Sequence, residues 1–175
     1  MHNFIATPMN RSEIRSLATQ VRMQFGFAKT LRFPIMEFVE LALPQIDKHY
    51  SFEVPEIHEL GQSHGLTVRE GDHVTIQIRA DVYDLACLDA GRDRGTVAHE
   101  LGHYLMHARS PTLHRHFGGS IRAFEDPEWQ AKCFQSELLV PKHLVAGMRD
   151  DEVATACGVS LQAAEYQMKL YRSGK

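Results

Sequence analysis

The sequence predicts an α+β fold, mostly helical, with a small β-sheet near its centre. Segments with apolar residues at three- and four-residue steps outnumber segments that alternate, which is the balance expected of a helical shell around few strands. The clearest alternation is confined to His73–Arg79 (HVTIQIR). A His99-Glu100-x-x-His103 spacing lies inside a stretch that otherwise reads as helix.

Taken in order, Ile14, Leu17, Val21 and Phe25 mark an amphipathic helix that starts near Asn10 or Ser12 and ends at Gly26. A second helix follows Pro34 through Ile35, Met36, Phe38, Val39 and Leu41, and Pro44 is expected to end or kink it. Pro55 to His64 offers a short helix with Gly65 as its stop. Leu66–Arg69 and His73–Arg79 read as a hairpin turned by Glu70-Gly71-Asp72, the second strand alternating Val74, Ile76 and Ile78 with polar neighbours. Asp81–Asp89 is a short helix closed by Gly91, and Thr96–Ala108 a longer one. The polar stretch Ser110–Asp126, with Pro111, Gly118 and Gly119, reads as a loop. Glu128–Val140 is a helix ended by Pro141, and Asp150–Arg172 holds two short helices broken at Gly158.

A length of 175 residues suits one domain with a small appendage and is enough to bury a core. With 43% hydrophobic residues, 23% charged residues and a formal charge of -3, nothing attracts the whole chain to nucleic acid or to an anionic membrane. Cys87, Cys133 and Cys157 form no CxxC pair, which argues against a disulfide framework or a thiolate metal site and fits small buried hydrophobes in a reducing compartment. The start MHNFIATPMNRSE lacks the regions of a secretory signal, and no apolar run approaches a membrane span, so a cytoplasmic location is expected.

The chemistry concentrates in Thr96–His107. Helical positions four apart share a face, so the imidazoles of His99 and His103 can point at one ion and fill two of the four positions zinc prefers. Glu100 lies on the neighbouring face, placed to take a proton from an attacking water rather than to ligate, as this motif does in zinc peptidases. Without a metal, two histidines and a glutamate on a largely buried helix would be costly to satisfy. At a rise of about 1.5 Å per residue, His107 stands roughly 12 Å along the axis from His99, too far to share one ion, so it is expected to brace the site or to be structural. Met106 and Arg109 occupy the positions where a metzincin would have its glycine and third histidine, so a third ligand has to come from downstream.

Candidates for it are His114, His116, Glu125, Asp126, Glu128 and Glu137. Glu128 opens a predicted helix, where the N-terminal dipole suits a carboxylate and a rigid element fixes it better than a loop would fix His114 or His116. Glu137 lies nearly half a turn around the same helix from Glu128, so the two cannot face one metal. The histidines and the other acids remain alternatives on residue logic. An oxyanion partner has candidates in Tyr83, Tyr104, His107, His114 and His116. Trp129 reads as core.

Arg92-Asp-Arg-Gly-Thr-Val-Ala-His-Glu-Leu-Gly-His-Tyr-Leu-Met-His107, followed by Glu128-Trp-Gln-Ala-Lys-Cys-Phe-Gln-Ser-Glu-Leu-Leu-Val-Pro141, resembles the ImmA/IrrE family of metallopeptidases. The likeness runs from about Leu66 to Pro141 and more faintly into Glu152–Ala164. It implies a zincin-like minimal metallopeptidase that uses Zn2+, with His99, His103 and Glu128 as ligands and Glu100 as the catalytic glutamate. It also implies cleavage of a helix-turn-helix transcriptional repressor or antitoxin-like regulator, encoded nearby on a phage or mobile element, under stress. Departures from the family pattern are Gly95 for a phenylalanine, Lys132 for an asparagine and Gln135-Ser136 for two alanines. Arg92 and Arg94 match the family's pair, read either as a salt bridge steadying the metal helix or as substrate contacts.

The expected organisation is therefore a peptidase domain over 1–141, with an N-terminal helical region over 1–55 and a metal-binding core over 56–141, followed by a helical extension over 142–175. That extension has a helix-turn-helix outline, but Asp150, Asp151 and Glu152 precede its first helix and only Lys169 and Arg172 sit on the second, so packing or partner docking is expected and direct DNA binding is not. The alternative reading is a zinc-bound regulatory or partner-binding protein with little peptidase activity.

Overall fold

The computed structural model of the chain describes residues 4–108, 114–115 and 121–174. Strand β1 (Phe4–Ile5) leads into helix α1 (Arg11–Gln24), which Asn10 opens as a capping box with Glu13. Next comes a broken helix made of α2 (Ile35–Glu37), a π-helical turn at Phe38–Ala42, and α3 (Leu43–Ile46). The π-helical turn ends two residues before Pro44 and contains Glu40, whose carbonyl, four residues back, a proline would crowd while removing its hydrogen bond. Widening the helix absorbs that clash, so Pro44 distorts the helix, which runs on to Ile46.

The central sheet contains β2 (Tyr50–Glu53), β3 (Gly65–Glu70) and β4 (His73–Ile78), in the order β2-β4-β3. The expected β3–β4 hairpin is present, antiparallel, with Gly71 at φ 62 in its turn. β2 pairs with β4 in parallel and was not foreseen, because a four-residue half-exposed strand whose partner lies about twenty residues away leaves little local pattern. Between β2 and β3, α4 (Ile57–Leu60) stops at Gly61, which adopts φ 57. Gly65 is therefore not the stop expected of it; it opens β3.

Two boundaries on the helical side also move. α5 (Ala80–Cys87) ends before a turn in which Asp89 takes a positive φ, and α6 (Gly91–Met106) starts at Gly91, five residues earlier than Thr96. Gly91 begins a helix where it was expected to close one. A two-stranded ribbon pairs β5 (His114–Arg115) antiparallel with β1, inside the stretch expected to be loop, and a 3-10 turn follows at Ala123–Glu125. α7 (Pro127–Leu139), α8 (Asp150–Cys157) and α9 (Leu161–Arg172) complete the chain close to their expected bounds.

The architecture is α+β, as expected. Its main core joins Ile14 and Ala18 of α1, Phe33 and Val39, the β4 face of Val74, Ile76 and Ile78, Val97 and Leu101 of α6, and Phe134 and Leu138 of α7. A second cluster, Val140, Val145, Val153, Cys157, Ala164 and Met168, seats α8 and α9. Cys133 and Cys157 are buried as expected, whereas Cys87 is exposed at the end of α5, a correction to its reading as core.

Candidate metal centre

Helices α6 and α7 build the site between them. They approach closely because α6 carries Gly102 at the crossing: a Cβ there would stand 3.2 Å from the Ala131 Cα and 3.2 Å from a ring carbon of Phe134. Ala131 lies about one turn beyond Glu128, and Gly102 immediately precedes His103, so this crossing sets the carboxylate of α7 beside the imidazoles of α6. Asp126 caps α7 by accepting from the Glu128 N–H at 2.9 Å, and Pro127 fills the first turn. That cap fixes Glu128 where the helix begins.

The result brings His99, His103 and Glu128 together. The two histidine Nε2 atoms are 3.0 Å apart, and the Glu128 oxygens lie 3.4 Å from each, Oε2 to His99 and Oε1 to His103. Three potential ligand atoms fall within 4.8 Å of one another. Zinc bonds of about 2.0–2.1 Å in tetrahedral array hold ligand atoms about 3.3 Å apart. The donor set, two imidazoles and a carboxylate with no fourth protein donor grouped with them among the described residues, fits an ion that keeps one position open. The imidazoles of His103 first and His99 second, each 3.4 Å from a carboxylate oxygen, hold the Glu128 carboxyl well below the usual carboxylate range.

Glu100 lines the same cleft and is 6% exposed. Its neighbour is the edge strand: the Thr67 hydroxyl of β3 donates toward Glu100 Oε2 at 2.8 Å and lies 3.1 Å from the Glu100 carbonyl. Burial pushes the Glu100 carboxyl pKa up, and the Thr67 hydrogen bond opposes that rise. At Gly65 a Cβ would meet Glu100 Cγ at 2.8 Å, so only glycine lets the strand lie this close. The sequence marked Gly65 only as a helix stop and Thr67 not at all; no periodicity says which residue of an edge strand will meet a helix from elsewhere.

His107 is buried behind the site, with Nδ1 3.0 Å from His103 Nδ1 and Nε2 2.8 Å from Gln130 Oε1, and burial pushes its pKa down to about 4. It braces a candidate ligand, as spacing suggested. Among the weaker ligand candidates, Asp126 is a cap and Glu125 lies in the 3-10 turn. Glu137 is buried among Arg11, Arg15, Gln167 and Tyr171, away from the two histidines. Of the oxyanion candidates, Tyr104 donates to Asp47, Tyr83 packs against the core, and neither lines the cleft. The side chains of His114 and His116 fall outside the described residues. His64, exposed and lining the cleft, was overlooked. Trp129 packs against the core, as expected.

The cleft has a volume of about 780 Å³ and is walled by α6 residues Arg92, Thr96 and His99 against α7 residues Glu128, Lys132 and Gln135. The two arginines divide. Arg94 is buried, donates to the carbonyls of Phe33 and Gly158 and pairs with Asp89, whereas Arg92 lines the cleft.

Residues 57–169 match the sequence family described as the IrrE N-terminal-like domain. The chain belongs to that family. Membership points to metallopeptidase-type chemistry and implies a metal, for which His99, His103 and Glu128 form a possible group. No curated protein matches the chain. Gly95 and Gln135 meet across this interface: a Cβ at Gly95 would stand 2.6 Å from Gln135 Nε2, so the side chain of Gln135 takes up space that a larger residue at position 95 would need.

Proposed function

We propose that this chain is a zinc-dependent endopeptidase of the cytoplasm, with His99, His103 and Glu128 holding Zn2+ and Glu100 acting as general base. One observation supports it above the others: three ligand atoms stand at the separations a tetrahedral ion sets, with a buried carboxylate beside them in an open cleft. When bound, zinc supplies Lewis acidity, easing deprotonation of water and polarising the carbonyl under attack. Glu100 takes the proton from the attacking water and returns it to the departing amine nitrogen. Thr67 occupies Oε2, so the proton is exchanged at Oε1. Burial makes Glu100 a better base than a solvated glutamate, because it raises the affinity of its carboxylate for the proton.

The substrate proposed is a helix-turn-helix repressor or antitoxin-like transcriptional regulator, on the strength of the family likeness. No helix among the described residues is long and apolar enough to cross a membrane. The test is Glu100→Gln, assayed beside wild type for zinc content by elemental analysis and for cleavage of a repressor encoded next to the gene. The variant is expected to keep its zinc and lose roughly 10²–10⁴-fold in rate, the usual weight of a general base. Equal cleavage by both proteins would remove Glu100 from the reaction.

A further inference from the structure

Gln130 and His107 lie behind the metal centre, 1% and 4% exposed, and their hydrogen bonds leave one arrangement of protons. Gln130 Nε2 stands 2.8 Å from the carbonyl oxygens of both Thr7 and Phe124. Only an NH2 group can satisfy two acceptors, and a reversed amide would set oxygen against oxygen. Gln130 Oε1 therefore faces His107 Nε2 at 2.8 Å and accepts from it, which places the His107 hydrogen on Nε2.

A buried ring whose hydrogen-bond partners are an amide and another imidazole has no carboxylate in contact with it, and burial outweighs the more distant Glu128, so His107 is neutral and carries one N–H. Its Nδ1 is then an acceptor. The atom 3.0 Å from it is His103 Nδ1, which has to donate. In the neutral His103 ring, the form that ligates a metal, that leaves the lone pair on Nε2, the atom 3.4 Å from Glu128 Oε1.

We propose that Gln130 and His107 are positioning residues that lock His103 in its Nδ1–H tautomer, so that Nε2 is presented for metal before any metal arrives. The functional meaning rests on the metal-centre reading above; the tautomer itself does not. Partners of this kind behind a ligating histidine fix its ring and raise its basicity. Here the partner is a neutral histidine held by an amide whose orientation two backbone carbonyls from distant segments enforce.

The experiment is a long-range proton–nitrogen correlation spectrum of the imidazoles in the full-length, metal-free, nitrogen-15-labelled protein at neutral pH. His103 is expected to show a protonated Nδ1 and a bare Nε2, and His107 a protonated Nε2. Zinc affinity is then measured by competition with a chromophoric chelator. His107→Phe is expected to release His103 into a mixture of tautomers and to weaken zinc roughly 10–100-fold. His107→Asn, whose Oδ1 can accept where Nδ1 did, is expected to recover most of that loss. A bare Nδ1 on His103 in the wild type would overturn the proposal whatever the variants do, and so would a His107→Phe protein with unchanged tautomer and unchanged affinity. Failure of wild type to bind zinc with His103 still protonated on Nδ1 would sink the metal-centre reading and leave the lock standing.

Discussion

Gly65 shows how little room the Glu100 carboxylate has. A methyl group there would press on Glu100 Cγ at 2.8 Å and crowd Ile78 at 3.1 Å. Since Gly65 lies in a strand with an ordinary φ, the backbone itself tolerates alanine, and the cost falls on Glu100. Gly65→Ala is expected to lower kcat/KM about 10²-fold, the scale of a displacement of about an ångström at a reacting group, with the melting curve little changed. Parallel peptidase assays and thermal denaturation measure both, and a fully active variant would show that Glu100 tolerates displacement. The ligand candidates were legible because two of them share one helix turn and the third opens a helix. Gly65 and Thr67 were not, since their role depends on which strand of the sheet ends up beside α6.

At the scale of elements, the site depends on how α7 is held from its other side. The Glu137 carboxylate, fully buried, is met by Arg11 at 2.9 Å, Arg15 at 2.8 Å, Gln167 at 3.0 Å and Tyr171 at 2.9 Å, tying α1 and α9 to α7. Glu137→Ala is expected to destabilise the protein by about 3 kcal/mol, the low end for breaking a buried ion pair, because Arg11 and Arg15 keep partial access to water. Urea denaturation measures the loss, and a change below experimental error would show that the clamp contributes nothing net. The early start of α6 has a similar tertiary origin. A Cβ at Gly91 would stand 2.5 Å from the Ser160 backbone nitrogen, so the turn between α8 and α9 packs directly on the first turn of α6. Arg94 donates to the Gly158 carbonyl in the same place. Local sequence marks Gly91 as a helix breaker; the docked turn makes its missing side chain a requirement.

Across the whole molecule, stability should follow acidity through the site itself. Glu128 is held below the usual carboxylate range by His103 first and His99 second. A carboxyl lowered on folding contributes stability that is present above its unfolded pKa and lost as pH falls through the folded one. The metal-free protein is therefore expected to weaken progressively below the ordinary glutamate range, near about pH 4.3, and Glu128→Gln to flatten that region of the profile. Chemical denaturation from about pH 7 to about pH 3 measures both slopes, and parallel profiles would show that Glu128 is not coupled to its histidines. The family match reaches residue 169 and so takes in α8 and most of α9, whose turn rests on α6 and whose Gln167 and Tyr171 reach Glu137.

The sequence by itself determined the helical balance of the fold, the β3–β4 hairpin, the His99-Glu100-x-x-His103 helix and the helix that Glu128 opens. Each of these is written in residues within a few turns of one another, where periodicity, capping and turn chemistry act. Only the tertiary structure decided that β2 joins the sheet in parallel, that Gly102 and Ala131 let α6 and α7 touch, that Thr67 reaches Glu100, and that Gln130 and His107 stand behind His103. Those contacts join residues distant in the chain, and their geometry comes from close packing and from satisfying buried polar groups, neither of which leaves a local pattern to read.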